Sequence, residues 1–329
     1  MTLTDLVAAV RRLHDQLRAA ALAAADRYDI DALSNVAADE DGDTVYALDA
    51  VTMAPLVDYF EREVASRAPI VLIAEGMPGG RVVLPAGASE SDARWRIIVD
   101  PVDGTRGLMY QKRSGWILTG IASNCGPATG LRDIEAAVQT EIPVTKQHLA
   151  DTVWATRTEG VHAERWNRVT GARKPLTLRP SGAGTLAHGF ATVARFFPGR
   201  RDVLAAIDDE IAATVVGESR EGKAVCFEDQ YVSTGGQLYE LMAGRDRFIA
   251  DIRPLVYGRS PGLCCHPYDL CTELLARELG VIVTDEHGQP LSATLAVEPN
   301  VSWIGYANAK IRNVVEPVLQ RALRSRGLI

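Results

Sequence analysis

Cysteine is scarce in this sequence, and its few cysteines are irregularly spaced. There are five: Cys125, Cys226, Cys264, Cys265 and Cys271. An odd number without a regular spacing argues against a disulfide framework and favours a reducing compartment, so we expect a cytoplasmic protein. Cys264, Cys265 and His266 raise the alternative of a zinc site. No C-x-x-C pair supports it, and buried thiols are the interpretation we favour.

Long hydrophobic runs and an excess of positive charge are also missing. No apolar run reaches the roughly 20 residues of a membrane-spanning helix, and the first residues lack the basic-then-apolar pattern of a secretory signal. The chain has 42 acidic and 35 basic residues, a net charge of −7. Because nucleic-acid-binding proteins usually carry a basic stripe, we expect neither a nucleic-acid nor a membrane partner. An acidic protein can still bind phosphate where a divalent metal ion reverses the local field.

What the chain does contain is a mixture of helical and strand patterns over 329 residues. Apolar residues at helical spacing predict helices at residues 2–28, 48–66, 202–213, 269–279 and 308–324. Short apolar runs predict strands at residues 69–74, 95–99, 115–125, 133–142, 223–226, 247–250 and 281–284. This mixture is typical of a layered α/β or α+β protein. We divide it into an N-terminal α+β half, residues 1–176, and a C-terminal α/β half, residues 177–329.

The strongest local signal is the hexapeptide Asp100-Pro101-Val102-Asp103-Gly104-Thr105, which follows a predicted buried strand. Its two carboxylates and the carbonyl of Val102 can converge on a hard cation, which prefers oxygen ligands. The backbone N–H groups of Gly104 and Thr105 can point at an anion at a helix start. On its own, the hexapeptide is equally consistent with an Asp-Pro turn followed by an Asp-Gly turn.

Two acidic residues elsewhere favour the metal interpretation. Glu75 directly follows the apolar run 70–74. If that strand and the strand before Asp100 are neighbours, both carboxylates lie at the same edge of the sheet, where ligand sites are common. Asp269 opens the predicted helix 269–279, where alone it would be an ordinary N-cap.

Together these residues resemble the inositol monophosphatase family, whose superfamily also holds bisphosphate nucleotidases and fructose-1,6-bisphosphatases. The resemblance rests on Glu75, the hexapeptide, Asp269 and the segment 273–291, and its order and spacing extend over roughly residues 5–320. Asp49 is similar to the family's early acidic position. The resemblance implies a layered α-β-α-β-α sandwich of the sugar-phosphatase type, a homodimer, and hydrolysis of phosphate esters with two or three Mg²⁺ ions, or Mn²⁺ in their place.

The resemblance also implies roles for individual residues. Glu75, Asp100 and the Val102 carbonyl would hold one metal ion, and Asp100, Asp103 and Asp269 a second. Asp49 and Thr105, with Glu75 nearby, would orient or deprotonate the attacking water. The N–H groups of Gly104 and Thr105 would carry the phosphate. The turn Ser233-Thr234-Gly235-Gly236 resembles one that lines the family's substrate pocket, although it is also a good helix start.

Departures from the family pattern concern the substrate. The chain has Glu75-Gly76 where two adjacent acids are common, and Tyr268 where tryptophan is common. The inositol enzymes place a sugar-binding glutamate shortly before the late aspartate, whereas residues 255–268 contain no carboxylate. The nearest upstream acid is Asp251.

Arg253 and Arg259 add positive charge to this region and could bind a second phosphate or a carboxylate, or face solvent. We therefore expect a small phosphorylated metabolite, either a sugar phosphate or a nucleotide-type phosphate. A 3′-phosphoadenosine nucleotidase and an inositol monophosphatase are the alternatives within the class. A binding or regulatory homologue without turnover is the alternative from another class.

Overall fold

The computed structural model describes residues 1–27, 30–33, 36–40, 43–217, 223–257 and 264–329. Side chains of residues 31–32, 36–40, 43–51 and 54 are outside the description. Two predicted site residues are affected. Arg259 lies outside the described residues, and Asp49 is described only as part of a helix backbone.

The described helices are distributed over the whole chain. They are α1 (Leu3–Arg27), α2 (Ile30–Leu33), α3 (Ala47–Tyr59), α4 (Thr105–Met109), α5 (Arg201–Val216), α6 (Thr234–Met242), α7 (Arg253–Tyr257), α8 (Glu273–Glu278) and α9 (Ala309–Ser325). A π-helical segment, Phe60–Ala65, continues α3. Among the described helices, none is both long and apolar enough to cross a membrane.

The described strands form a hairpin and two sheets. They are β1 (Val36–Glu40), β2 (Asp43–Tyr46), β3 (Ile70–Ala74), β4 (Arg81–Leu84), β5 (Trp95–Asp103), β6 (Gly115–Ser123), β7 (Ile134–Ile142), β8 (Leu149–Thr156), β9 (Gly160–Asn167), β10 (Arg173–Pro175), β11 (Phe190–Val193), β12 (Asp246–Asp251), β13 (Ile282–Thr284) and β14 (Trp303–Tyr306). The hairpin is β1–β2. The large sheet has the order β10-β9-β8-β7-β6-β5-β3-β4, and the small sheet β11-β12-β14-β13.

Three apolar cores hold these elements in five layers. The first joins α1 and α3 to one face of the large sheet, with Leu13 and Ile97 fully buried in it. The second joins the other face to α6 and α8 and, beyond them, to the small sheet. The third covers the outer face of the small sheet with α5 and α9. The α-β-α-β-α sandwich expected from the sequence is confirmed.

The large sheet ends at Pro175 and the small sheet begins at Phe190, close to the predicted division at residue 176. Because both sheets pack against α6 and α8 in one core, the division into two halves stays a prediction.

Three predicted elements are wrong in extent. The strand expected at residues 95–99 continues to Asp103. The strand expected at residues 223–226 is reduced to a single bridge between Phe227 and Phe190. The helix expected at 269–279 begins only at Glu273, because residues 267–272 form turns. Asp269 is therefore not a helix N-cap, and its carboxylate serves the preceding turn.

Candidate metal centre and active site

The site begins at the carboxyl end of β3, beside the neighbouring strand β5. The two strands pair in parallel, with Ala74 opposite Val99. Glu75, which directly follows β3, and Asp100, the next residue within β5, therefore lie at the same edge of the large sheet. This position, predicted from the two apolar runs, is confirmed.

A β-bulge explains how Asp100 and Asp103 reach one site. In a regular strand, residues three apart point to opposite faces. In β5 the register against β6 shifts between Asp100, opposite Leu118, and Asp103, opposite Trp116. The extra residue turns the strand so that both carboxylates face the layer of α6 and α8. Pro101 is tolerated there because a bulge does not require its missing N–H group.

The start of α6 holds Asp103 in place. Ser233 Oγ donates to Asp103 Oδ2 at 2.7 Å, and the N–H of Gly235 donates to the same oxygen at 2.7 Å. The N–H of Thr234 donates to Oδ1 at 3.3 Å. Ser233 also accepts the N–H of Gly236 at 2.9 Å as the N-cap of α6. Asp103 is therefore both a candidate ligand and an acceptor for the free donors of a helix start.

Asp269 joins the same site from a turn in the C-terminal part of the chain. Its Oδ2 accepts the N–H of His266 at 2.6 Å. The His266 ring stacks on Tyr268, with centroids 5.2 Å apart, and its Nδ1 lies 3.0 Å from the carbonyl of Pro299. The contacts of His266 with Tyr268 and Pro299 hold the turn in place, and the N–H of His266 orients the Asp269 carboxylate.

The buried Asp100 and Asp103 and the half-buried Asp269 form a cluster in which one oxygen from each lies within 4.8 Å of the other two. Burial raises the pKa of Asp103 to about 6, against the opposing hydrogen bonds from α6. Burial, and then the charge of Asp103, raises the pKa of Asp269 well above its usual range. Three converging carboxylates of this kind fit a hard divalent cation, whose charge would favour their ionised forms.

The hexapeptide also arranges its backbone around the cluster. The N–H of Val102 donates to Asp100 Oδ1 at 3.0 Å, and the Thr105 hydroxyl donates to the carbonyl of Val102 at 2.7 Å. Gly104 has a φ of +83°, which favours glycine, and caps α4. Gly104 and Thr105 line the same cavity as the carboxylates, together with Glu75.

The cavity wall also contains cationic and aromatic side chains. It is lined by Arg106, Phe196, Phe197 and Arg253, and beside them by Cys264, His266 and Tyr268. Arg253 lies over the ring of Phe196 at 4.2 Å, and Arg106 over the ring of Phe197 at 5.3 Å. The cavity is therefore lined by both acidic and cationic side chains.

Only some of the predicted substrate residues line the cavity. Ser233 and Thr234 line the cavity, whereas Gly235 supports Asp103 with its N–H. Asp251 is fully buried and binds Arg253 through two bonds, Nε to Oδ1 at 2.8 Å and Nη2 to Oδ2 at 2.5 Å. The charge of Arg253 is therefore already compensated by Asp251.

Sequence analysis did not identify three residues that line the cavity: Arg106, Phe196 and Phe197. Arg106 directly follows the hexapeptide, and this position could have indicated that it lies at the site. The two phenylalanines lie in the segment between β11 and α5, and only the tertiary fold brings them to the cavity. Cys264 and Cys265 are buried free thiols, as expected.

Comparison with known proteins identifies the class of this fold. No family model matches the sequence, and no curated protein sequence matches it. Solved structures do, and the fold that they share with this chain is that of fructose-1,6-bisphosphatases and inositol monophosphatases.

Three of these structures illustrate the likeness. Fructose-1,6-bisphosphatase of Leishmania major has a TM-score of 0.68 at 11% identity, over 95% of this chain and 93% of that one. For the extragenic suppressor protein SuhB of Bartonella henselae, the TM-score is 0.67 at 17% identity, over 96% of this chain and 99% of that one. For the IMPase of Thermotoga maritima, the TM-score is 0.63 at 15% identity, over 98% of this chain and 99% of that one. At such identities the likeness establishes the fold.

Proposed function

We propose that this protein is a metal-dependent phosphomonoesterase that hydrolyses a small phosphorylated metabolite with Mg²⁺, or Mn²⁺, as cofactor. The observation that carries the proposal is the carboxylate cluster of Asp100, Asp103 and Asp269, which lines one cavity with Glu75, Gly104 and Thr105. The phosphatases among the structures that share this fold support it. A homodimer and a cytoplasmic location stay predictions.

Each residue has a defined part in this proposal. Asp100, Asp103 and Asp269, with Glu75 and the Val102 carbonyl, would hold the metal ions. Such ions, when bound, lower the pKa of a bound water and neutralise phosphoryl oxygens.

The chain itself supplies orientation. The start of α6 fixes Asp103, and the turn at His266 fixes Asp269. The Thr105 hydroxyl donates its hydrogen bond to the carbonyl of Val102. Its oxygen can therefore accept a hydrogen bond from the attacking water. Asp49 is proposed as the second group that orients or deprotonates this water.

The test is phosphate release from a panel of phosphate monoesters, measured with Mg²⁺, with Mn²⁺ and with a chelator. We expect turnover to need added metal in the millimolar range, since an all-oxygen site of this type binds Mg²⁺ weakly until substrate completes the shell. Full turnover after exhaustive chelation would refute metal dependence. If the folded protein released no phosphate from any ester with either metal, a binding homologue without turnover would be the better description.

A second prediction links metal to pH. Because the pKa of Asp103 is raised to about 6, the folded apo protein keeps a proton that the unfolded chain has lost above about pH 4. Asp103 therefore makes the stability of the metal-free protein fall as the pH rises from about 4 to about 6. Metal binding should offset the loss, so the rise in melting temperature on adding Mg²⁺ should be larger at pH 7.5 than at pH 5. Thermal unfolding at both pH values, with and without Mg²⁺, measures it, and a shift that does not depend on pH would contradict the assignment.

A further inference from the structure

A glutamine is fully buried in the apolar core between the two sheets. Gln139 lies on β7, on the face that packs against α6 and α8. Its cross-strand partners, Leu118 on β6 and Val153 on β8, both belong to this core. An amide is costly at such a position unless its oxygen and its nitrogen both form hydrogen bonds. Packing alone therefore does not account for a glutamine here.

The two ends of the Gln139 side chain bind two different segments. Nε2 donates to the carbonyl of Gly235 at 2.7 Å, in the first turn of α6. Oε1 accepts the hydroxyl of Thr272 at 3.0 Å. Thr272 is also fully buried and is the residue at which α8 begins, in the N-cap position. One side chain of β7 thus connects the starts of both helices.

Each of these segments holds one carboxylate of the cluster. The N–H of Gly235 donates to Asp103 Oδ2 at 2.7 Å, so this glycine binds Asp103 with its N–H and Gln139 with its carbonyl. Thr272 comes three residues after Asp269, in the run of turns that precedes α8. Gln139 therefore connects the support of Asp103 to the segment that carries Asp269.

The hydroxyl of Thr272 is used for this connection and not for capping. A threonine N-cap usually accepts an N–H of the first helical turn with its side-chain oxygen. Within the described part of the chain, Thr272 makes no such bond, and its hydroxyl binds Gln139. The segment also lies directly on the large sheet, since a Cβ added to Gly120 of β6 would lie 2.7 Å from the carbonyl oxygen of Cys271. The segment after Asp269 is therefore held on the sheet by close packing and by one buried hydrogen bond.

We propose that Gln139 is a positioning residue, which fixes Asp103 and Asp269 relative to each other and so sets the affinity of the cluster for a divalent metal ion. This inference rests on the proposed function, since it takes the cluster to hold Mg²⁺ or Mn²⁺. Such an ion needs its ligand oxygens at defined distances, and the hydrogen bonds that orient the ligands control its affinity. Without Gln139 both carboxylates would remain, but their mutual repulsion would be less firmly opposed.

Mn²⁺ binding tests the proposal without turnover, since electron paramagnetic resonance measures the free ion. Gln139→Met replaces the amide by an apolar chain of similar length, and Thr272→Val removes the hydroxyl and keeps the shape. Each should weaken Mn²⁺ binding about 10-fold, as expected when a group that orients a metal ligand is lost. Thr272→Ser keeps the donor and should bind Mn²⁺ like the wild type. The double variant should bind about as weakly as either single variant, because both changes break one connection.

The matched control is Thr140→Val, at the next residue of β7. Thr140 is also fully buried, but it lies on the opposite face of the sheet, where its hydroxyl is 3.0 Å from Nδ1 of His14. Losing this bond should cost about as much stability as losing one bond of Gln139, and it should leave Mn²⁺ binding unchanged. Urea unfolding of the metal-free proteins compares their stabilities. If Gln139→Met does not fold, the comparison of Thr272→Val with Thr272→Ser decides.

Two results would overturn the inference. They are Mn²⁺ binding by Gln139→Met and Thr272→Val as tight as in the wild type, and an equal weakening in Thr140→Val, which would trace the effect to a general loss of stability. Weakened Mn²⁺ binding in the first two variants alone, with no phosphate release from any ester by the wild type, would refute the proposed hydrolysis and leave the positioning role standing. Full turnover without metal, together with no Mn²⁺ binding, would refute both.

Discussion

Asp269→Asn should make the metal-free protein at least as stable as the wild type while removing most of its activity. The asparagine oxygen can still accept the N–H of His266, and its amide can donate toward the neighbouring carboxylates. A repulsion between buried acids is thereby replaced by a hydrogen bond, and we expect the free energy of unfolding at pH 7.5 to stay level or rise by about 1 kcal/mol. Phosphate release should fall about 100-fold or more, because the cluster loses a ligand and a charge.

Asp246→Asn is the matched control for this experiment. Asp246 begins β12, away from the cavity, and burial followed by the charge of Glu240 raises its pKa to about 7. Removing this buried charge should also stabilise the apo protein and should leave activity intact. Urea unfolding with a chelator and phosphate release with Mg²⁺, on the same preparations, separate the two effects. An Asp269→Asn protein that is destabilised and fully active would remove Asp269 from the site.

Asp103→Asn would be less informative, although the sequence alone makes it equally attractive. Asp103 accepts hydrogen bonds from Ser233, Thr234 and Gly235. An amide in its place would oppose at least one of these donors, so loss of stability and loss of a ligand would be mixed. Asp269 has the simpler surroundings and gives the cleaner result.

Gly104→Ala should damage both stability and activity. At φ +83° an alanine is strained by about 1–2 kcal/mol. Its Cβ would also lie 2.8 Å from the Cβ of Ser233, which is closer than side chains can approach. Relieving this contact should add about 1–3 kcal/mol. Because Ser233 donates to Asp103, we expect phosphate release to fall more than about 10-fold, as misplacement by a fraction of an ångström is costly in catalysis.

Gly126→Ala separates the backbone strain from the steric contact. Gly126 has a φ of +76°, but nothing lies within 4 Å of an added Cβ. This variant should show only the backbone strain, with activity retained. Denaturant unfolding and phosphate release for both variants provide the comparison. Equal destabilisation, with both enzymes active, would mean that the approach of Gly104 to Ser233 has no part in shaping the site.

The elements that could be predicted from the sequence are those with a strong local signal. The apolar positions of α1 recur at helical spacing. β3 is a continuous apolar run, and β5 is apolar before Asp100 except at Arg96, because both faces of the sheet are covered. Glu75 and Asp100 could be placed together because each directly follows such a run. The hexapeptide and Asp269 could be assigned by resemblance.

Features that depend on tertiary structure could not be predicted. The bulge between Asp100 and Asp103 is visible only in the register with β6. No spacing rule specifies the pairing of Arg253 with Asp251 or the contact of Arg106 with the ring of Phe197. The helix pattern of the sequence predicts a start at Asp269, but α8 begins at Glu273. Asp269 instead accepts the N–H of His266 in the preceding turn.

The cluster draws its carboxylates from distant parts of the chain, and this has a consequence for synthesis. A nascent chain completed as far as Pro175 already contains Asp100, Asp103 and the whole large sheet. It still lacks Ser233 and Gly235, which orient Asp103, and Asp269, which completes the cluster. Since domains are made from the N-terminus onward, the proposed ion-binding site is assembled last. On this proposal, an unfinished chain would lack the complete ligand set and would not compete for cellular metal.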